Sequence, residues 1–110
     1  MFNIIKKWIP EESRVLDLGC GDGTMLAELK KELNVDGLGI DIEDKNIQLS
    51  LEKGLNVIEQ DIDKGLNNFG DKSFDIVLMS QSFQTLKKPE IALEEIVRIG
   101  DECIVSIPNF

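Results

Sequence analysis

Three glycines alternate at Gly19, Gly21 and Gly23, within the stretch Val15-Leu-Asp-Leu-Gly-Cys-Gly-Asp-Gly23. Before them runs Arg14–Leu18, a nearly continuous apolar segment of the kind that a strand buried on both faces requires. After them, Met25 to Leu33 reads as a helix with Leu26, Leu29 and Leu33 on one face, and Asn34 is suited to a left-handed stop. A strand that turns through glycines directly into a helix opens a βαβ unit. Without Cβ atoms the backbone can turn sharply there and a ligand can come close. The first N–H groups of the following helix are then available to an anionic group.

The rest of the chain repeats the alternation. Ile4, Ile5, Trp8 and Ile9 form an apolar stripe on a short N-terminal helix that Pro10 stops, and Trp8 is expected to pack. Asp36-Gly37 follows a helix rather than a strand and so reads as loop, with a second strand over Leu38–Ile42. Glu43 and Asp44 put negative charge where a helix dipole favours it, and that helix ends at Gly54. A third strand spans Asn56–Gln60, and Lys64–Lys72 reads mainly as loop with room for one helical turn. Phe74–Ser80 is the strongest strand. Pro89 opens a helix with Ala92, Ile96 and Ile99 on one face and Gly100 as its stop. A fifth strand covers Glu102–Ile107 and ends at Pro108. Strands alternating with helices at this spacing imply one α/β domain over residues 1–110, with a parallel sheet and right-handed crossovers.

The charges around the glycine turn discriminate between ligands. The dinucleotide fingerprint G-x-G-x-x-G would put its third glycine at position 24, which is Thr24. Asp17 stands two residues before the first glycine, where a carboxylate would oppose a pyrophosphate. S-adenosylmethionine carries a sulfonium and an ammonium and no phosphate, so an acid beside it is favourable. Asp41, with Ile42 next to it, closes the second strand about twenty residues past the turn, where a carboxylate can accept both hydroxyls of an adenosine ribose. Asp61 follows the third strand within reach of an adenine amino group, and Ile62 can cover the ring. Cys20 has no visible base beside it and reads as a small residue packed in the turn.

Composition narrows the alternatives. Twenty-one acidic against twelve basic residues give a formal charge of −9, which repels nucleic-acid backbones and offers no attraction to anionic lipid. There is no histidine, and Cys20 and Cys103 form no C-x-x-C pair, so a typical zinc site lacks its ligands and no disulfide framework exists. No stretch approaches 18 consecutive apolar residues, and a reducing cytoplasm is the expected compartment.

At these residues the chain resembles a class I S-adenosylmethionine-dependent methyltransferase, whose first motif is an acid followed by GxGxG. More narrowly it resembles the methionine-biosynthesis protein MetW family, through Trp8-Ile-Pro10, Arg14–Gly23, Phe74 to Gln81, and Ile104 to Phe110. The resemblance implies a Rossmann-like three-layer αβα fold with strand order 3-2-1-4-5. It assigns Asp17, Gly19, Cys20, Gly21 and Gly23 to the methionine part of S-adenosylmethionine or S-adenosylhomocysteine. It assigns Asp41 and Ile42 to the ribose, Asp61 and Ile62 to the adenine, and Ser80 and Gln81 to the substrate side. It also implies a homoserine O-acyltransferase partner. Such proteins continue past the fifth strand into a helix and two more strands that this chain lacks, as a truncated domain would. The fifth strand, with Ile104, Val105 and Ile107, is then an exposed edge that invites a homodimer. Three readings follow: a small-molecule methyltransferase with no identifiable catalytic residue, a non-catalytic cofactor-binding module supporting the acyltransferase, and a nicotinamide-dependent oxidoreductase, which Asp17 and Thr24 disfavour.

Overall fold

The computed structural model describes residues 2–79 and 86–105. The elements are α1 (Phe2–Lys6), β1 (Arg14–Leu18), α2 (Thr24–Leu33), β2 (Asp36–Asp41), α3 (Asp44–Glu52), β3 (Asn56–Glu59), a 3-10 turn (Ile62–Lys64), β4 (Phe74–Met79), α4 (Pro89–Ile99) and β5 (Gly100–Val105). The strands form one sheet in the order β3-β2-β1-β4-β5, and every pair is parallel. This is the expected α/β architecture. Ser80, Gln81, Ile107 and the Pro108–Phe110 segment lie outside the described residues.

Side-chain alternation along the strands divides the core between the two sheet faces. Leu16, Leu18, Val77 and Met79 face α4, where they join Ile40, Ile62, Leu66, Ala92, Ile96 and Ile99. Val15, Ile76 and Leu78 face the other way and pack with Leu26 and Leu29 of α2 and with Ile5 and Ile9 at the N-terminus. Burial of the central strands on both faces explains why β1 and β4 read as unbroken apolar runs.

Four local readings are corrected. Asp36 and Gly37 belong to β2, paired with Arg14 and Val15. Asn34 is left-handed at φ 52°, so the chain reverses at once and the strand starts without a loop. Gly37 is a packing glycine, because a Cβ there would lie 2.7 Å from Leu26 Cδ1. Gly100 ends α4 as expected, but β5 begins at that same residue rather than at Glu102, extended at φ −115° with the space for its Cβ taken by Val77. The helical turn expected within 64–72 sits earlier, at Ile62–Lys64. Trp8 does not pack: it is 59% exposed, and of the N-terminal stripe only Ile5 and Ile9 reach the core.

Candidate functional site

The glycine turn is held by bonds that reach other elements. Gly19 N–H and Cys20 N–H both donate to Ile40 O, at 2.7 and 2.9 Å. Gly21 N–H donates to Asp41 Oδ2 at 2.9 Å. The other oxygen of Asp41 accepts from Ile42 N–H at 2.8 Å and Glu43 N–H at 2.9 Å, with Asn46 Nδ2 at 3.5 Å. One carboxylate therefore joins the turn after β1 to the start of α3. Gly21 and Gly23 have φ of 60° and 85°, the left-handed region that favours glycine. Around Gly21 nothing would meet a Cβ, whereas at Gly23 Leu55 and Ser50 already lie within 2.8 Å of that position. Gly21 is thus open to a ligand and Gly23 is closed by packing.

A cavity of about 390 Å³ opens at the carboxyl ends of β1, β2 and β3, within the size range of small-molecule sites. Gly19, Gly21, Asp41, Ile42, Asp61 and Ile62 line it, so six of the residues singled out in sequence meet at one place. Glu43, Asn46, Gln60, Asp63 and Leu86 complete the lining. Among the described lining residues, four side chains are carboxylates and none is basic.

Asp17, Cys20 and Gly23 are not among the described residues that line the cavity. Alternation puts Asp17 on the same sheet face as Val15, beneath the turn, 2% exposed. Its partners across the sheet are Gly39 and Leu78. Gly39 has no side chain, and Cys20 Sγ fills the space, 2.7 Å from where a Cβ would be. Asp17 Oδ1 is buried without a hydrogen-bond partner among the described residues. Burial first, and the Asp41 charge second, push its carboxyl up to about 7. Cys20 bonds weakly with Ser50 Oγ at 3.8 Å, and burial together with the nearby Asp17 and Asp41 charges pushes its thiol up to about 11, against lowering hydrogen bonds from Ser50 and the backbone. A thiol held protonated in this way is no nucleophile. Ser80 lies outside the described residues.

On the adenine side predicted from sequence, Asp61 Oδ1 accepts from Asp63 N–H at 3.0 Å and starts the 3-10 turn. The Gln60 and Asn68 amides exchange two hydrogen bonds, at 2.8 and 2.9 Å, and Gln60 also donates to Gly65 O, which fixes the loop behind that wall. Of the residues missed in sequence, Gln60 and Glu43 were findable as neighbours of Asp61 and Asp41 at strand tips. Leu86 carried no such signal, being far along the chain from every other lining residue.

A parallel sheet ordered 3-2-1-4-5, with a glycine turn after its central strand and acids at the tips of the next two, is a Rossmann-like arrangement, and solved structures similar to it are SAM-dependent methyltransferases. A SAM-dependent methyltransferase from Thermotoga maritima is similar at a TM-score of 0.78 and 26% identity, over 94% of this chain and 48% of that one. Another, from Aquifex aeolicus, gives a TM-score of 0.73 and 29% identity over 89% of this chain and 56% of that one. The family model for the methionine biosynthesis protein MetW matches residues 1–110, and the chain belongs to that family. A curated relative, the bifunctional methionine biosynthesis protein MetXA/MetW of Rhodopirellula baltica, is 34% identical over 93% of this chain. The chain spans 18% of that relative and about half of each of the two solved structures.

Proposed function

We propose that this MetW-family chain binds S-adenosylmethionine or S-adenosylhomocysteine in the cavity at the ends of β1–β3. The carrying observation is a site whose described lining has four carboxylates and no basic side chain, beside an open glycine. Such a lining opposes pyrophosphate and suits a ligand whose only formal charges, apart from one carboxylate, are positive. The unpartnered, buried Oδ1 of Asp17 fits the same group, since a cation above the turn would draw that carboxyl back toward ionisation.

In this reading Gly19 and Gly21 let the methionine end approach the backbone. Asp41 accepts the ribose hydroxyls, with Ile42 beside them, and Asp61 and Ile62 meet the adenine edge and face. Cys20, Gly23 and Ser50 hold the turn from behind. When bound, S-adenosylmethionine supplies a methyl group on a positively charged sulfur, already disposed to transfer. The chain's own residues need then supply chiefly position and exclusion of water. Ser80 and Gln81 stand, by the family resemblance, on the acceptor side.

A second reading is favoured by the curated relative, in which MetXA and MetW share one polypeptide. In this second reading the present domain binds the cofactor without turning it over and supports a homoserine O-acyltransferase partner. β5 lies at one edge of the sheet, with Asp101, Glu102 and Cys103 exposed, and offers a strand for pairing with a second chain. Among the described residues no helix is long and apolar enough to cross a membrane.

Calorimetric titration with S-adenosylmethionine and S-adenosylhomocysteine tests the first reading, and binding of at least one is expected. Binding without turnover, together with altered activity of an added homoserine O-acyltransferase, selects the second. Tight binding of a nicotinamide dinucleotide with no response to either adenosyl compound would overturn both. Light scattering at high concentration checks self-pairing through β5, where a strict monomer would exclude it.

A further inference from the structure

Asp63 makes contacts that neither the cavity's ligand chemistry nor the fold's helices and strands require. Its Oδ1 accepts from Lys87 N–H at 3.0 Å and from Lys88 N–H at 3.1 Å, and its Oδ2 accepts from Lys87 N–H at 3.2 Å. Lys88 is the N-cap of α4 and has no capping bond from its own side chain. The carboxylate that meets this entry thus comes from another lining residue of the cavity, 24 residues earlier in the chain. Leu86, the residue before the two held amides, lines the cavity and packs against the core cluster that contains Ile62.

A chain of bonds connects these pieces. Asp61 Oδ1 takes the Asp63 N–H and fixes the 3-10 turn, and that turn aims the Asp63 carboxylate at Lys87 and Lys88. Backbone donors to an ionised carboxylate make strong hydrogen bonds, and here two amides converge on one side chain. Pro89 holds φ at the first position of α4, next to the amides that Asp63 restrains.

We propose that Asp63 is a positioning residue: by holding the backbone of Lys87 and Lys88 it keeps Leu86 in place as an apolar part of the cavity wall. Its effect on ligand affinity rests on the adenosyl reading above, whereas its effect on Leu86 does not. Occupancy beside Asp61 is thereby coupled to the entry of α4, through two side chains on one 3-10 turn.

The test uses Asp63→Ala, Asp63→Asn and Leu86→Ala, with S-adenosylhomocysteine as the titrant. In the free protein, Asp63→Ala should displace the Leu86 methyl resonances and speed amide exchange at Lys87 and Lys88 roughly tenfold, as loss of a hydrogen bond of ordinary strength implies. Asp63→Asn, which keeps a carbonyl acceptor, should restore much of both. Affinity should fall roughly five- to tenfold in Asp63→Ala and in Leu86→Ala, and the double variant should lose less than the product of the two. Unmoved Leu86 methyls in Asp63→Ala would overturn the proposal. So would displaced methyls with unchanged affinity in a protein that binds the titrant. A wild-type protein that binds no adenosyl compound, yet whose Leu86 moves in Asp63→Ala, would sink the cofactor reading and sustain the positioning role.

Discussion

Asp41 accepts the N–H of Gly21 at 2.9 Å, so the acid at the tip of β2 is part of the glycine turn's own structure. The same carboxylate holds the amides of Ile42 and Glu43, which lead into α3. A residue expected to bind ribose is therefore also a brace between two elements, and its loss has two consequences that must be measured apart. Asp41→Ala should lower the unfolding free energy by roughly 1–3 kcal/mol, the cost of leaving such donors unpaired. It should also weaken S-adenosylhomocysteine at least about tenfold under conditions where the variant is fully folded, as loss of a charged hydrogen-bond acceptor implies. Denaturant midpoints and calorimetry on one preparation separate the two. Unchanged affinity in the folded variant would remove Asp41 from the site.

Asp17 makes stability depend on pH in an unusual direction. Its carboxyl sits at about 7 in the fold, against an ordinary value of 3.8. Between those values the folded chain keeps a proton that the unfolded chain has lost, so Asp17's contribution to stability falls as pH rises from about 4 to 7 and is constant above. At 1.36 kcal/mol per pH unit, the full effect is on the order of 4 kcal/mol. Asp17→Asn should flatten the difference between denaturant midpoints at pH 5 and pH 8. A variant that retains the wild-type pH slope would place its cause elsewhere.

The same buried acid predicts a proton count on binding. A cationic ligand above the turn favours the ionised form of Asp17, so S-adenosylmethionine should expel a fraction of a proton near pH 7. Calorimetry in buffers of different ionisation enthalpy reads that number directly. S-adenosylhomocysteine, which lacks the sulfonium, should release less, and equal release by both would detach Asp17 from the sulfur's charge.

The two cysteines should differ sharply in reactivity. Cys20 is buried with its thiol pushed up to about 11, while Cys103 is exposed on β5. Iodoacetamide at pH 8 should alkylate Cys103 and spare Cys20 in the native protein, with both modified in denaturant. Peptide mass mapping decides it, and rapid native modification of Cys20 would contradict the packing under the turn.

Gly39 and Cys20 should be energetically coupled. Gly39→Ala would bring a methyl group 2.7 Å from Cys20 Sγ, an overlap expected to cost about 1–3 kcal/mol. Removing the sulfur in Cys20→Ala should relieve much of that cost, so the double variant is more stable than the sum of the single losses predicts. Strict additivity, measured by denaturant unfolding, would show that the turn adjusts without contact between these two positions.

The sheet and its helices were legible because their signals are local. Apolar runs at β1 and β4, the three-and-four spacing in α2 and α4, and Asn34 as a left-handed stop each record their own surroundings within a few residues. Errors came where a residue type has two uses. Gly37 read as punctuation, yet it makes room for a neighbour's side chain within a strand, and Gly100 does the same while also ending α4. Trp8 read as core, but the helix that would have buried it ends at Lys6.

Sequence alone determined that a glycine turn follows a buried strand and that acids close the next two strands, since chain connectivity and period require only near neighbours. The tertiary structure decided which acids meet the cavity. Asp17 went under the turn because strand alternation points it at the α2 face, where Gly39 leaves space for Cys20. Asp63 and Leu86 came to the rim because crossing from β3 to α4 brings distant segments together. Charge and spacing along a chain carry no record of such meetings, because burial and hydrogen bonding between remote residues are settled only when the layers pack.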